Sequence, residues 1–174
     1  SNRFAELNSA PHWASAYFDG RIRVPFDHSL PAQQRARKLD LSLRHELVHS
    51  MIAQISSNRS LPTWFDEGLA QYLSCRNGHC PAPTLELKSG KFLTAQQLED
   101  KFSALPEHQA RQAYAQSLYM IRVLEKEIGE HGLVELLENL QSHTKPVIDS
   151  ETLLSGPARA RLDFAQLYRK SPEL

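Results

Sequence analysis

The chain has 174 residues, 41% of them apolar, which is enough to form a core and argues against wholesale disorder. Twenty basic residues balance twenty acidic ones, which gives no electrostatic footprint for nucleic acid or an anionic membrane. No apolar run approaches the length of a membrane span.

The chain starts Ser1-Asn2-Arg3, without Met or a signal-like apolar stretch, and reads as a processed or excised chain. Ala14 to Phe26 reads as a β-hairpin. Asp19-Gly20 offers a two-residue turn, and Ile22 and Val24 alternate with Arg21 and Arg23. Pro25 cannot donate to a ladder and ends the second strand or marks an edge.

From Pro31 the pattern becomes helical. Leu43, Leu47, Val48, Met51, Ile52 and Ile55 form the expected inward stripe. Ser56 to Ser60 punctuates the end, and Pro62 or Thr63 opens a second helix, TWFDEGLAQYL. In that helix Trp64, Phe65, Leu69, Tyr72 and Leu73 are expected mostly inward. Residues 75 to 92 are loop-rich. There Cys75 and Cys80 flank an Asn77-Gly78 turn, and a small disulfide loop is the simplest reading, two free thiols the competing one. Thr94 to Gln97 is a capping-box start for a short helix. Helices are expected over about Glu107 to Glu130, Leu133 to Gln141 and Pro157 to Tyr168. The expected class is α+β, predominantly α-helical, in one domain: a β-hairpin in 1–30, two helices in 31–74, and a loop with a C-terminal helical part in 75–174.

The stretch carrying chemistry is RHELVHSMI, residues 44 to 52. Positions i and i+4 of a helix lie on one face, so His45 and His49 can direct imidazole nitrogens at one metal ion. Glu46 is close enough to contact a water held there. This is the HExxH arrangement of two ligands and a general base. The competing reading is a helix with a solvated His/Glu face. A catalytic zinc needs a third protein ligand, and downstream candidates are Asp66, Glu67, His79 and the cysteine pair. Glu67 fits best, because the next helix would return across the first. Ala70 shares its face and allows close approach, and Gly68, costing about 1 kcal/mol against Ala in a helix, points to a packing requirement. An exposed acid in a first helical turn, favoured there by the helix dipole, explains Glu67 about equally well.

HELVH, followed after seventeen residues by Glu67-Gly68-Leu69-Ala70, resembles the gluzincin metallopeptidases. LRHELVHSMI with LPTWFDEGLAQYL looks most like the bacterial peptidase-MA-like domains, often attached to tetratricopeptide repeats. GRIRVP resembles the edge strand of their cleft, and Ala113 to Leu133 resembles their following helix. The resemblance implies a zincin-like fold and zinc (Zn2+) held by His45, His49 and Glu67. It implies Glu46 as general base and proton shuttle, and a peptide or protein substrate. It also implies an oxyanion donor, for which Tyr114 stands at the matching place. Tyr119, or a purely structural role for Tyr114, are the alternatives there. The glycine-rich strand of the aminopeptidases is absent, so aminopeptidase activity is not implied. His108 and His131 read as surface residues.

Two function classes compete. One is a zinc peptidase in which a substrate strand pairs with Gly20 to Pro25. The other is a catalytically silent, zinc-peptidase-like module that binds protein partners. Retention of Glu46 beside all three ligands favours the first. A redox role for Cys75 and Cys80 lacks the CxxC spacing. The cysteines and the family tendency together point to a periplasmic, cell-envelope or extracellular setting.

Overall fold

The structure is a computed structural model that describes the backbone of 17–18 and 22–23, and residues 28–74 and 92–155 in full. The Cys75/Cys80 loop, His79, the outer parts of the hairpin and the helix expected over Pro157 to Tyr168 lie outside the described residues. In chain order the elements are β1 (Tyr17–Phe18), β2 (Ile22–Arg23), α1 (Ala32–Ile55), α2 (Thr63–Ser74), α3 (Ala95–Glu99), α4 (Glu107–Asn139) and α5 (Ser150–Leu154). Two 3-10 turns, Phe102–Ala104 and Leu140–Ser142, flank α4. The described chain is predominantly helical.

The two strands pair antiparallel, with Tyr17 opposite Arg23 and Phe18 opposite Ile22. That register places three residues, 19–21, between the paired positions. The Asp19-Gly20 turn expected from the sequence lies outside the described residues. Both strands lie against α1.

α1 begins after Pro31, whose carbonyl accepts the Arg35 amide at 2.9 Å. Proline suits this place because its φ is already near helical and no amide donor is required of it. The helix ends at Ser56, and Ser57 (φ 55°) and Asn58 (φ 57°) then take left-handed conformations. The Asn58 amide returns to the Ala53 carbonyl at 2.7 Å, which satisfies one of the last helical carbonyls. Arg59 secures the exit, donating to the Ser56 carbonyl at 2.9 Å and to the His143 carbonyl. Ser60 then forms a parallel bridge with Val147, its amide donating to Pro146 and its carbonyl accepting from Ile148.

The core forms where α2 packs on α4 and α1. Trp64, Phe65 and Ala70 are fully buried and Leu69 nearly so, against Met120, Ile121 and Leu124 of α4. Each large apolar side chain buried in this way contributes about 1.5–3 kcal/mol. Gly68 sets the helix spacing. A Cβ there would stand 2.6 Å from the Ser117 carbonyl oxygen and 2.8 Å from Ile121 Cγ1, so the close approach requires glycine. The packing reason expected for Gly68 is thus the backbone of α4. The Trp64 indole donates to Ser150 Oγ at 2.9 Å, and Ser150 in turn bonds to Glu99, which ties α5 and α3 to the start of α2.

Two expectations change. The two helices expected over Glu107 to Glu130 and Leu133 to Gln141 are present as the two parts of α4, and the break between them falls at Gly129, where φ is 73° and ψ is 173°, rather than after Glu130. Glycine reaches that conformation without a Cβ penalty, so the break falls there. The inward stripe of α1 is the larger correction. Val48 and Ile52 are buried, but Leu43, Leu47 and Met51 are 41%, 53% and 51% exposed. At 100° per residue these three lie on the side of the helix opposite His45 and His49, with Glu46 on the flank between. α1 cannot turn both faces toward α2, and the polar face is the one turned inward. Leu73 is also exposed, at 37%.

Candidate metal centre

The centre is built from one face of α1 and the first turns of α2. Spacing of four residues puts the His45 and His49 rings edge to face, with centroids 4.7 Å apart. Their Nε2 atoms are 3.1 Å apart. Glu67 reaches them from α2, with Oε2 at 3.2 Å from His45 Nε2 and 3.5 Å from His49 Nε2. Of the two described candidates for a third ligand, Asp66 and Glu67, it is Glu67 that is brought to the pair. Asp66, its neighbour, goes instead behind His49, where Oδ1 lies 3.0 Å from Nδ1.

The electrostatics follow from this enclosure. Burial pulls the His49 pKa down, but hydrogen bonds to Asp66 and Glu67 overcome that, and it is raised from 6.5 to about 10. Burial alone would raise Glu67, yet hydrogen bonds from His45 and His49 hold it at about 2, below its ordinary 4.5. Glu46 is 5% exposed, and burial raises its pKa above the usual carboxylate value, while the two histidines pull it back.

Tyr114 approaches from α4. Its hydroxyl donates to Glu67 Oε1 at 3.4 Å, and its ring packs edge to face on Phe102 with centroids 5.3 Å apart. Burial, then the neighbouring Glu67 carboxylate, raises the phenol pKa well above 10, so it remains a proton donor at neutral pH. Tyr119 is buried five residues on, about 140° further round the helix. His108 is exposed, and His131 is exposed with Nε2 at 3.3 Å from Glu135. Gln71 was not singled out from the sequence. Its amide donates to the Glu67 carbonyl at 3.2 Å and the Tyr114 carbonyl at 2.9 Å, linking the two elements that carry these side chains. Its position four residues after Glu67 was the available signal.

Does this donor set fit a metal? A tetrahedral zinc with bonds of about 2.0–2.1 Å separates its ligand atoms by roughly 3.3–3.4 Å. The three separations here, 3.1, 3.2 and 3.5 Å, bracket that value. His45, His49 and Glu67 also form a group whose ligating atoms all lie within 4.8 Å of one another. Two imidazoles and one carboxylate are a zinc-type donor set with a fourth position left for another group.

No curated protein and no solved structure gives a significant match. A model of the Peptidase MA superfamily matches residues 38–153, a span holding His45, Glu46, His49, Glu67 and Tyr114. Covering two thirds of the sequence, that match makes the chain a member of the Peptidase MA superfamily.

Proposed function

We propose that the chain is a zinc-dependent peptidase of the gluzincin type, with a zincin-like active-site helix in α1. The observation that carries this is the convergence of His45 Nε2, His49 Nε2 and Glu67 Oε2 at tetrahedral spacing, with the buried Glu46 between the two histidines in sequence. Zinc bound by these three side chains would supply Lewis acidity, lowering the pKa of a water to about 7 and polarising a peptide carbonyl.

The protein's own groups do the rest. Glu46 accepts the proton of the attacking water on its carboxylate. Its burial, which raises its pKa in the metal-free chain, keeps the carboxylate out of bulk water. Glu46 then passes the proton to the departing nitrogen. Tyr114 donates its phenol hydrogen to the oxygen that gains charge as the carbonyl is attacked. Its ring is held by Phe102, so the donor needs little reorganisation. An extended substrate would pair with the β2 edge, beside α1, by strand addition.

Incubation of the zinc-loaded chain with a mixed peptide library, read by mass spectrometry, tests the proposal. Cleavage that stops with a chelator and returns on adding zinc is expected. One zinc per chain with no cleavage of any peptide would leave the competing reading, a peptidase-like module that binds protein partners.

A further inference from the structure

We propose that Asp66 is the positioning residue for His49, fixing the tautomer and ring orientation in which Nε2 faces the metal; this rests on zinc being held by His45, His49 and Glu67. A neutral imidazole carries one N–H, and an ionised carboxylate only accepts hydrogen bonds. Asp66 Oδ1 lies 3.0 Å from His49 Nδ1, so the hydrogen belongs on Nδ1. With zinc bound the ring is neutral, and the Nε2 lone pair is then directed at the cluster, where Nε2 stands 3.1 Å from His45 Nε2 and 3.5 Å from Glu67 Oε2. Without Asp66 the ring is free to carry its hydrogen on Nε2 and to rotate away.

Asp66 and Glu67 are consecutive, and a helix turns 100° between them. One therefore reaches the ligand side of His49 and the other its back. The Asp66 amide donates to the Pro62 carbonyl at 3.2 Å, which anchors the residue in the first turn of α2. A single dipeptide thus supplies one ligand and orients another, and the same register of α2 on α1 serves both. Gly68, which lets α2 seat closely on α4, follows immediately.

The test is a zinc titration of the metal-free 174-residue chain against a chromophoric chelator, for wild type, Asp66→Ala and Asp66→Asn. Removing an outer partner of a ligating histidine weakens metal binding about 10–100-fold, and that loss is expected for Asp66→Ala. Asp66→Asn keeps an oxygen that can accept from Nδ1 and should recover most of the affinity. In the cobalt-substituted protein, the visible bands should shift for Asp66→Ala and stay near wild type for Asp66→Asn. In a His49→Ala background, adding Asp66→Ala should change affinity less than twofold, because Asp66 acts through His49. Cooperative metal-free melting transitions show that the variants fold. Wild-type affinity and an unchanged cobalt spectrum in Asp66→Ala would overturn the assignment of Asp66 while leaving the zinc site standing. A wild type that takes up no zinc would overturn the zinc reading, and this inference with it.

Discussion

Replacing Gly68 by alanine separates local preference from tertiary packing, and it does so next to the candidate metal centre. In an isolated helix the change stabilises by about 1 kcal/mol. In this fold the new methyl would stand 2.6 Å from the Ser117 carbonyl oxygen, 2.8 Å from Ile121 Cγ1 and 2.9 Å from the Ser117 carbonyl carbon. The isoleucine can rotate, but the backbone of α4 cannot. α2 must move outward by several tenths of an ångström to restore ordinary contact. Overpacking of this kind costs about 1–3 kcal/mol, so a net loss of about 0–2 kcal/mol remains after the helix gain. For a chain of this size, a 1–2 kcal/mol loss lowers Tm by roughly 2–8 °C. Glu67 is carried on the same turn, and a shift of α2 moves its Oε2 away from the histidine nitrogens. Zinc affinity should therefore fall in the same variant. Thermal unfolding with and without zinc, followed by a chelator-competition titration, reads both effects. A variant more stable than wild type by the full helix gain, binding zinc equally well, would refute the packing argument.

Three other outcomes follow. In the metal-free protein, His49 is raised from 6.5 to about 10, so the stability it contributes is complete below about pH 6.5 and is lost as pH rises through 10. Glu67 is lowered from 4.5 to about 2, so its contribution is complete above about pH 4.5 and is lost as pH falls through 2. Urea midpoints measured in chelator should peak between these limits, and a midpoint that does not fall from pH 6.5 to 10 contradicts the His49 environment. Leu47→Ala should change stability by less than about 1 kcal/mol, whereas Leu69→Ala should cost about 2–5 kcal/mol, because Leu47 is 53% exposed and Leu69 only 2%. Equal losses in urea denaturation would restore the inward stripe expected from the sequence. Thr94→Ala removes the capping box on α3, in which Thr94 Oγ1 accepts from the Gln97 amide and Gln97 Oε1 accepts from the Thr94 amide. A loss of about 1 kcal/mol is expected.

The site was more legible in the sequence than the packing around it. His45 and His49 are four apart, and helical geometry alone places them on one face. Glu67 needed more, because the return path of α2 depends on the Ser57-Asn58 turn, the Arg59 tether and the Ser60–Val147 bridge. Those contacts join residues far apart in the chain and leave no local pattern. The apolar row Leu43, Leu47, Met51 misled for a related reason. Periodicity shows that a helix has two faces, and the choice between them belongs to its neighbours. Here the enclosure of His45, Glu46 and His49 against α2 decides it. The capping box at Thr94 was readable because it is local, and so was the need for glycine at 68, although its partner on α4 was not. Asp66 was visible only as a possible ligand; its place behind His49 depends on the register of two helices.

The most direct test compares zinc-loaded wild type with Glu46→Gln, each shown by metal analysis to hold one zinc per chain. Glutamine retains the shape and removes the base, and loss of a general base costs about 10²–10⁴-fold in rate. Peptide cleavage by wild type and at least a hundredfold lower kcat in Glu46→Gln are expected, with zinc content unchanged. Equal cleavage by the two proteins would contradict the assignment of Glu46 as the base.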